Sequence, residues 1–298
     1  MKRVLITGGS GFVGKNVVNV LLERGYEVYV ISTSPTKSCS LQLKIVNCNL
    51  LNYTEILEVM QDISPSYLIH LAWETTHNIY LHSNKNIDWV TASMNLLTAF
   101  RNVGGKRVFI SGTCFEYEYR NSPLSETDTL MPDNLYSACK IALHTMATQY
   151  SKDNGISLVW GRLFYLFGEN EKPSRVVPYI ISNLLKGNAI TCKNSMAVRD
   201  FLYVKDAARI ICDIFESNFE GDINIASGEN IRMKELFEKI SIILNCHDLV
   251  AYDNQPVTPE YIVASIEKQK LITNFNYSFE EGINNCIQFY NGGDLNVR

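Results

Sequence analysis

The sequence predicts an α/β protein built on a doubly wound parallel sheet, with a smaller mixed α/β lobe. Three observations predict it. Short β-branched apolar runs alternate with helical patterns through the first half of the chain, as parallel strands joined by crossover helices do. Those runs are apolar at nearly every position, which fits strands buried on both faces. Gly8, Gly11 and Gly14 stand three residues apart where the first run meets the first helical pattern. Glycine is entropically costly in regular structure, so something must come close to the backbone there.

In chain order, Val4–Thr7 is the first strand. Residues 12–24 have helical spacing, with Val13, Val17, Val20 and Leu21 on one face and Gly25 as the stop. Glu27–Ile31 reads as the second strand, followed by a variable loop, then by Leu43–Cys48. A helix is expected over 53–62 and a strand over Tyr67–Ala72. A long helix is expected over 84–102, with Ile87, Val90, Met94 and Leu97 along one stripe. Arg107–Ser111 is a strand, 134–153 a helix and Ser157–Trp160 a strand. Near-universal right-handed crossovers make this a doubly wound, Rossmann-type sheet. Beyond residue 161 the rhythm loosens, with Pro173, Pro178, Gly187, Pro256 and Pro259 between shorter elements. The expected division is 1–161 plus 200–225 for the dinucleotide-binding domain and 162–199 plus 226–298 for a substrate lobe.

Composition narrows the function. The 298 residues are 46% hydrophobic and 19% charged, enough apolar material for a core and too little charge for a disordered or coiled-coil chain. The net charge is −4 and no basic stripe stands out, which argues against a nucleic-acid partner. Eight cysteines, Cys39, Cys48, Cys114, Cys139, Cys192, Cys212, Cys246 and Cys286, form no C-x-x-C pair, so neither a zinc cage nor another metal site is expected. His70, His77, His82, His144 and His247 show no metal spacing and read as structural. With no export signal in MKRVLITGG and no apolar run long enough to span a bilayer, the expectation is a soluble, reduced, cytoplasmic protein without a membrane partner.

The glycine turn points to a dinucleotide. Such a site needs a tight turn, bare backbone against pyrophosphate and close helix–strand contact. The following helix then faces the phosphates with free N–H groups and the positive end of its dipole. Gly8, Gly11, Phe12, Val13 and Gly14 are therefore cofactor candidates, although glycine spacing alone is a weak signal. The end of the second strand reads VYVISTS, with Ser32 where NAD would call for an acid. Ser32, Thr33 and Ser34 could donate to a 2′-phosphate and Lys37 could add charge, or the stretch could be a solvated loop. NADP(H) is the favoured cofactor and NAD(H) the alternative.

Tyr136 and Lys140 lie four apart in NLYSACK and share a helix face. With 16 tyrosines in the chain, one such pair is about what chance supplies, and an ordinary helix pair has the same spacing. Its placement is more telling, since it follows a strand that leaves Ser111 and Thr113 at a carboxyl end, where open α/β sheets bind ligands. A free phenol titrates near ~10. A cation ~4 Å away at an effective dielectric of ~20 would supply about the 4 kcal/mol needed to bring it to neutrality.

TGGSGFVG, ISGTCFEY and YSACK in this order resemble the extended short-chain dehydrogenase/reductase family, the nucleotide-sugar epimerase, dehydratase and reductase group. LIHLAW at 68–73 and VRDFLYVKDAA at 198–208 resemble further family segments, so the likeness runs from residue 4 to about 228. It implies Tyr136 as proton donor or acceptor, Lys140 as its activator and ribose ligand, and Thr113 as the hydroxyl that orients the carbonyl. It places Leu71 and Ala72 beside the nicotinamide ribose. Trp73, Thr113, Cys114, Arg175 and Arg199 become substrate candidates, with Glu116 also on the cleft. Arg199 would hold a diphosphate or form a surface salt bridge with Asp200 or Asp206; Cys114 could as well be a small buried residue.

Similar dehydratases carry Asp-Glu after the threonine, whereas Cys114 and Phe115 stand here. Tyr165 replaces the family's asparagine, and PVTPEYIVA lacks a phosphate-binding arginine. The resemblance implies a reductase of a nucleotide-diphospho-4-keto-6-deoxyhexose, with a 4-epimerase and a non-catalytic NADP-binding regulator as rivals. A homodimer through helices 84–102 and 134–153 is expected.

Overall fold

The computed structural model describes residues 2–34, 41–76, 79–256, 259–274 and 278–292. Lys37, Cys39 and His77, named above, lie outside them. The first half runs β1 (Arg3–Thr7), α1 (Phe12–Glu23), β2 (Glu27–Ser32), β3 (Leu43–Asn47), α2 (Tyr53–Ile63) and β4 (Tyr67–His70). It continues through α3 (Lys85–Asn102), β5 (Arg107–Thr113), a single 3-10 turn at Cys114–Glu116, α4 (Leu135–Asp153) and β6 (Ser157–Leu163). Then follow β7 (Tyr165–Phe167), α5 (Val176–Leu185), β8 (Ile190–Cys192), β9 (Val198–Arg199), β10 (Phe201–Tyr203), α6 (Val204–Glu216) and β11 (Gly221–Ile225). The chain ends with β12 (Ile231–Arg232), α7 (Met233–Ile243), β13 (Val250–Tyr252), β14 (Tyr261–Ile262), α8 (Glu267–Lys270) and α9 (Phe279–Asn291).

Seven strands form one parallel sheet in the order β11-β6-β5-β4-β1-β2-β3. Two-residue periodicity divides its side chains between two layers. Val4, Ile6, Val28, Val30, Phe109 and Val159 pack on one face with α1 and α6. Leu5, Ile31, Leu68, Val108, Leu158 and Trp160 pack on the other with α2, α3 and α4. Both faces are thus covered, which explains why each strand reads as a continuous apolar run. A separate cluster joins α5, α7 and α9 around Val177, Ile181, Phe201, Leu236 and Ile283.

Several features differ from the sequence reading: the strand expected over Ser157–Trp160 runs on to Leu163 and the one expected over Tyr67–Ala72 stops at His70. Ile87, one of the four apolar residues set along one stripe of the long helix, is 55% exposed. The buried side of α3 is Asn86, Ser93, Leu96, Leu97 and Phe100. Two polar residues sit there because partners satisfy them, so apolar spacing alone does not mark the buried edge of the helix. The strand expected over Arg107–Ser111 also runs on to Thr113, every residue of it buried.

Candidate active site

The sheet order reverses between β1 and β4, and ligands of open α/β sheets bind in the crevice at such a reversal. The glycine turn leaves β1 there. Gly8 has φ of 71°, and a Cβ on it would stand 2.8 Å from the Ala72 amide nitrogen. A Cβ on Gly14 would stand 2.1 Å from the Gly8 carbonyl oxygen and 2.7 Å from Gly9 Cα. The Leu71 amide donates to the Thr7 carbonyl at 3.1 Å and the Ala72 amide to Thr7 Oγ1 at 3.3 Å, which seats that segment against the turn. No side chain caps α1 and no acid lies in its first turn. Its leading amides are therefore free to bind an anion. Phe12 and Val13 begin the helix and pack partly against the second lobe's core. This bare, uncapped cradle fits a pyrophosphate, so the residues present suit a dinucleotide.

At the end of β2, Ser32 Oγ donates to the Ser34 carbonyl and accepts from the Ser34 amide, both at 3.1 Å. Ser32, Thr33 and Ser34 thus form a small hydroxyl-bearing turn with no carboxylate among them.

The reacting end forms where β5 meets α4. The 3-10 turn fixes Thr113, whose Oγ1 accepts from the Phe115 amide at 3.3 Å while the Thr113 amide donates to Glu116 Oε1 at 2.8 Å. Asn134 caps α4 and accepts from the Ser137 amide at 2.9 Å. That start aims Tyr136 and Lys140 at the β5 terminus. The Thr113 hydroxyl lies close enough to the Tyr136 phenol to pull against the rise that burial gives it, and Tyr80 packs edge-on to its ring at 5.0 Å between centroids. Lys140 Nζ donates to the Ser111 carbonyl at 2.9 Å. Its ammonium lies 3.8 Å from the centroid of Trp73.

The electrostatics differ from the sequence expectation. Burial pushes the Tyr136 phenol well above the ordinary tyrosine range. Burial also pushes Lys140 down to about 7, against the opposing pull of Glu116. Desolvation outweighs the attraction reckoned from i+4 spacing, so the resting phenol keeps its proton. His70 is held neutral, pushed down to about 3 by burial and by Lys140. Ser93 Oγ donates to the Trp89 carbonyl. It can therefore accept from His70 Nε2 at 2.8 Å, leaving Nδ1 to accept from Thr7 at 2.6 Å.

Glu116, expected on the cleft, is fully buried. It pairs with Arg162 Nε at 2.7 Å and accepts from Trp160 Nε1. Arg162 also reaches Asp222 at 2.9 Å, and His144 meets Asp222 at 2.8 Å. Arg162 comes from β6 and Asp222 from β11, and these neighbouring strands draw the carboxylate inward. Cys114, a substrate candidate, is 3% exposed and packs with Tyr117, Leu124 and Phe164. Burial raises its thiol to about 12, so it lies under the groove as a small apolar residue.

Arg199 is buried and donates to the carbonyls of Val198, Glu260 and Pro259 at 2.8–2.9 Å. Its expected salt bridge to Asp200 does not form. Asp200 instead accepts from the amides of Ser227, Gly228 and Ala264 and from the Ser227 hydroxyl. The Arg199 guanidinium lies 5.7 Å from the Tyr165 ring, which meets Phe115 edge-on at 6.2 Å. Arg175, half exposed, stands 3.6 Å from Glu171, and its charge pulls against the rise that burial gives the Tyr80 phenol.

Comparison with known proteins gives this geometry a family. The model of the NAD dependent epimerase/dehydratase family matches residues 4–226. The chain belongs to that family. Family members like it at the sequence level include UDP-glucuronic acid decarboxylase 1 of Danio rerio, 26% identical over 97% of this chain and 72% of that protein. Another is dTDP-4-dehydro-6-deoxyglucose reductase of Escherichia coli, 28% identical over 84% of each chain. Among solved structures, a UDP-N-acetylglucosamine 4-epimerase from Methanobrevibacter ruminantium superposes with a TM-score of 0.86 at 26% identity, covering 98% of both chains. As a member of this epimerase/dehydratase family, the protein is an NAD-dependent-type enzyme on an extended short-chain dehydrogenase fold. Among the described residues no helix is long and apolar enough to cross a membrane.

Sequence reasoning missed Tyr80 and Asn86. Tyr80 lies in an irregular loop and gave no periodic signal. Asn86 is fully buried and accepts from the Trp73 indole at 2.8 Å, while its amide donates to the carbonyls of Tyr80 and Ser83. An asparagine at a helix start ordinarily reads as a cap, so its role as an anchor had no sequence signature.

Proposed function

We propose that the protein is an NAD(P)H-dependent reductase of a nucleotide-diphospho-4-keto-6-deoxyhexose. One observation carries the reading. The Thr113 turn sets a hydroxyl near a buried phenol that keeps its proton, and its only carboxylate, Glu116, is sealed against Arg162. A reduction needs a proton donor, which a phenol held above its usual range remains at neutral pH. Elimination of water needs a further acid–base pair that this turn does not offer.

The hydride is supplied by a bound nicotinamide nucleotide. Thr113 and Tyr136 hold the keto oxygen between two hydroxyls. Tyr136 gives its proton to that oxygen as the carbonyl becomes an alcohol, and solvent restores the proton to the phenol. Lys140, buried beside them, offers N–H groups to the ribose side of the groove. Ser32, Thr33 and Ser34 offer hydroxyls and no acid to the adenosine ribose, which favours NADP(H) over NAD(H).

Residues 162–199 and 226–298 are the lobe that receives the nucleotide diphosphate, with Arg175 as one exposed cation that could meet it. The reductase among the relatives, which acts on a dTDP-4-dehydro-6-deoxyglucose, supports the substrate class. The partly exposed apolar side chains of α3, including Ile87, support a homodimer in solution, and a monomeric mass at micromolar concentration would remove that part.

The test is incubation with NADPH or NADH and a panel of 4-keto nucleotide sugars. Loss of the reduced-nicotinamide absorbance with a keto-deoxy sugar is expected. Isomerisation of a nucleotide hexose without net oxidation would make the protein an epimerase. Tight cofactor binding with neither reaction would make it a regulator.

A further inference from the structure

The loop between β4 and α3 carries a contact that the proposed chemistry leaves unexplained. Lys140 is 2% exposed. Among the described residues its ammonium has one hydrogen-bond acceptor, the Ser111 carbonyl. A buried ammonium with three donors and one acceptor is poorly solvated. The face of Trp73, 3.8 Å from Nζ, fills a second side. A cation over an indole face is drawn to the ring quadrupole, and the attraction grows when water is excluded.

The ring is not free to turn away. Its N–H donates to Asn86 Oδ1 at 2.8 Å. The Asn86 amide is itself committed to the carbonyls of Tyr80 and Ser83. Trp89 lies 6.1 Å from Trp73 on one side, and Tyr136 meets it edge-on at 6.3 Å on another. Asn86 thus ties both ends of the loop, and the loop presses one flat face onto the lysine.

We infer that Trp73, anchored by Asn86, is a positioning residue for Lys140, holding the ammonium charged and fixed against the Ser111 carbonyl. This assigns Trp73 a task other than contact with the substrate. The inference rests on the reductase reading only for its consequence in turnover; the state of Lys140 can be read without any turnover. The other titratable groups around the ammonium are Glu116 from the 3-10 turn, His70 from β4 and Tyr136 from its own helix. His70 stays neutral across the working range, which leaves Glu116 as the charge supporting the ammonium.

The test uses protein labelled with 13C at lysine Cε, with the Lys140 resonance identified by its loss in Lys140→Arg. In the wild type that resonance should be shifted upfield by the indole ring current and should titrate far below the other lysines. Trp73→Leu should remove the ring-current shift and lower the midpoint by about one pH unit, a desolvated cation–π contact of roughly that size being lost. Trp73→Phe should restore part of both effects, and Asn86→Leu should weaken both with the indole still present. If wild-type turnover is found, the alkaline limb of its kcat/KM profile should move down by the same unit in Trp73→Leu. A Lys140 midpoint unchanged in Trp73→Leu overturns the inference. A shifted midpoint in a protein that turns over no keto sugar upholds it and removes the reductase reading instead.

Discussion

Replacing Gly14 by alanine tests the dinucleotide cradle directly. A Cβ there would stand 2.1 Å from the Gly8 carbonyl oxygen. Carbon and oxygen ordinarily approach no closer than about 3.3 Å, so α1 must retreat from the turn by roughly 1 Å. Overpacking of this kind costs about 1–3 kcal/mol of stability. The retreat also strains the 2.9 Å bond from the Gly11 amide to that same carbonyl. It carries the leading amides of α1 away from the phosphate position. One charge-assisted bond is worth about 1.5–3 kcal/mol, so its loss raises the dissociation constant by roughly 10- to 150-fold.

Fluorescence titration of NADPH and NADH against wild type and Gly14→Ala measures this, with a thermal melt alongside. Gly155→Ala is the control: φ is 65° there and nothing lies within 4 Å of the added Cβ. That variant should lose some stability and bind normally, separating strain from cradle geometry. Binding by Gly14→Ala within about threefold of wild type would refute the reasoning.

Three further outcomes follow from the structure. Tyr136→Phe should lower kcat by about 10²- to 10⁴-fold while nucleotide affinity holds, and undiminished turnover would remove the phenol from the chemistry. Glu116→Ala should cost about 3–5 kcal/mol in urea unfolding, because Arg162 is left buried with Asp222 as its one remaining carboxylate; a loss under about 1 kcal/mol would show that the pair does not organise the Thr113 turn. Glu171, buried with Oε2 unpartnered, is pushed up to about 8 by burial despite Arg175. Between pH 4.5 and 8 the folded state therefore holds a proton that the unfolded state has released, and stability falls as pH rises through that window. Glu171→Gln should remove that fall, by up to about 1.4 kcal/mol per pH unit; a melting-temperature gap between the two proteins that stays constant from pH 5 to pH 8 would contradict it.

Much of the sheet was legible because its physics is local. Runs such as VLI at 4–6 and VFI at 108–110 are apolar at every position since each side of the strand meets a helix layer. The glycine turn was legible for a similar reason, as a Cβ on Gly11 or Gly14 would run into the Gly8 carbonyl only a handful of residues away. Thr113, Tyr136 and Lys140 were found from order along the chain and resemblance to a family, and the fold brings them to one strand end. The buried face of α3 was not legible because Asn86 and Ser93 are buried polar residues. Their partners, the Trp73 indole and His70, lie before the helix and do not register in its periodicity.

The sequence by itself determined the alternating layers and the bare glycine bend, because each follows from spacing within one or two elements, and it marked the hydroxyl, phenol and amine at the helix–strand junction only through order along the chain and resemblance to a family. Tertiary structure alone decided the charge states and the destinations of side chains. Glu116 turned inward because Arg162, 46 residues away, and Trp160 met it there. Lys140 fell to about 7 because burial removed its water. Desolvation depends on everything that closes around a group, and those neighbours come from parts of the chain that no local pattern connects.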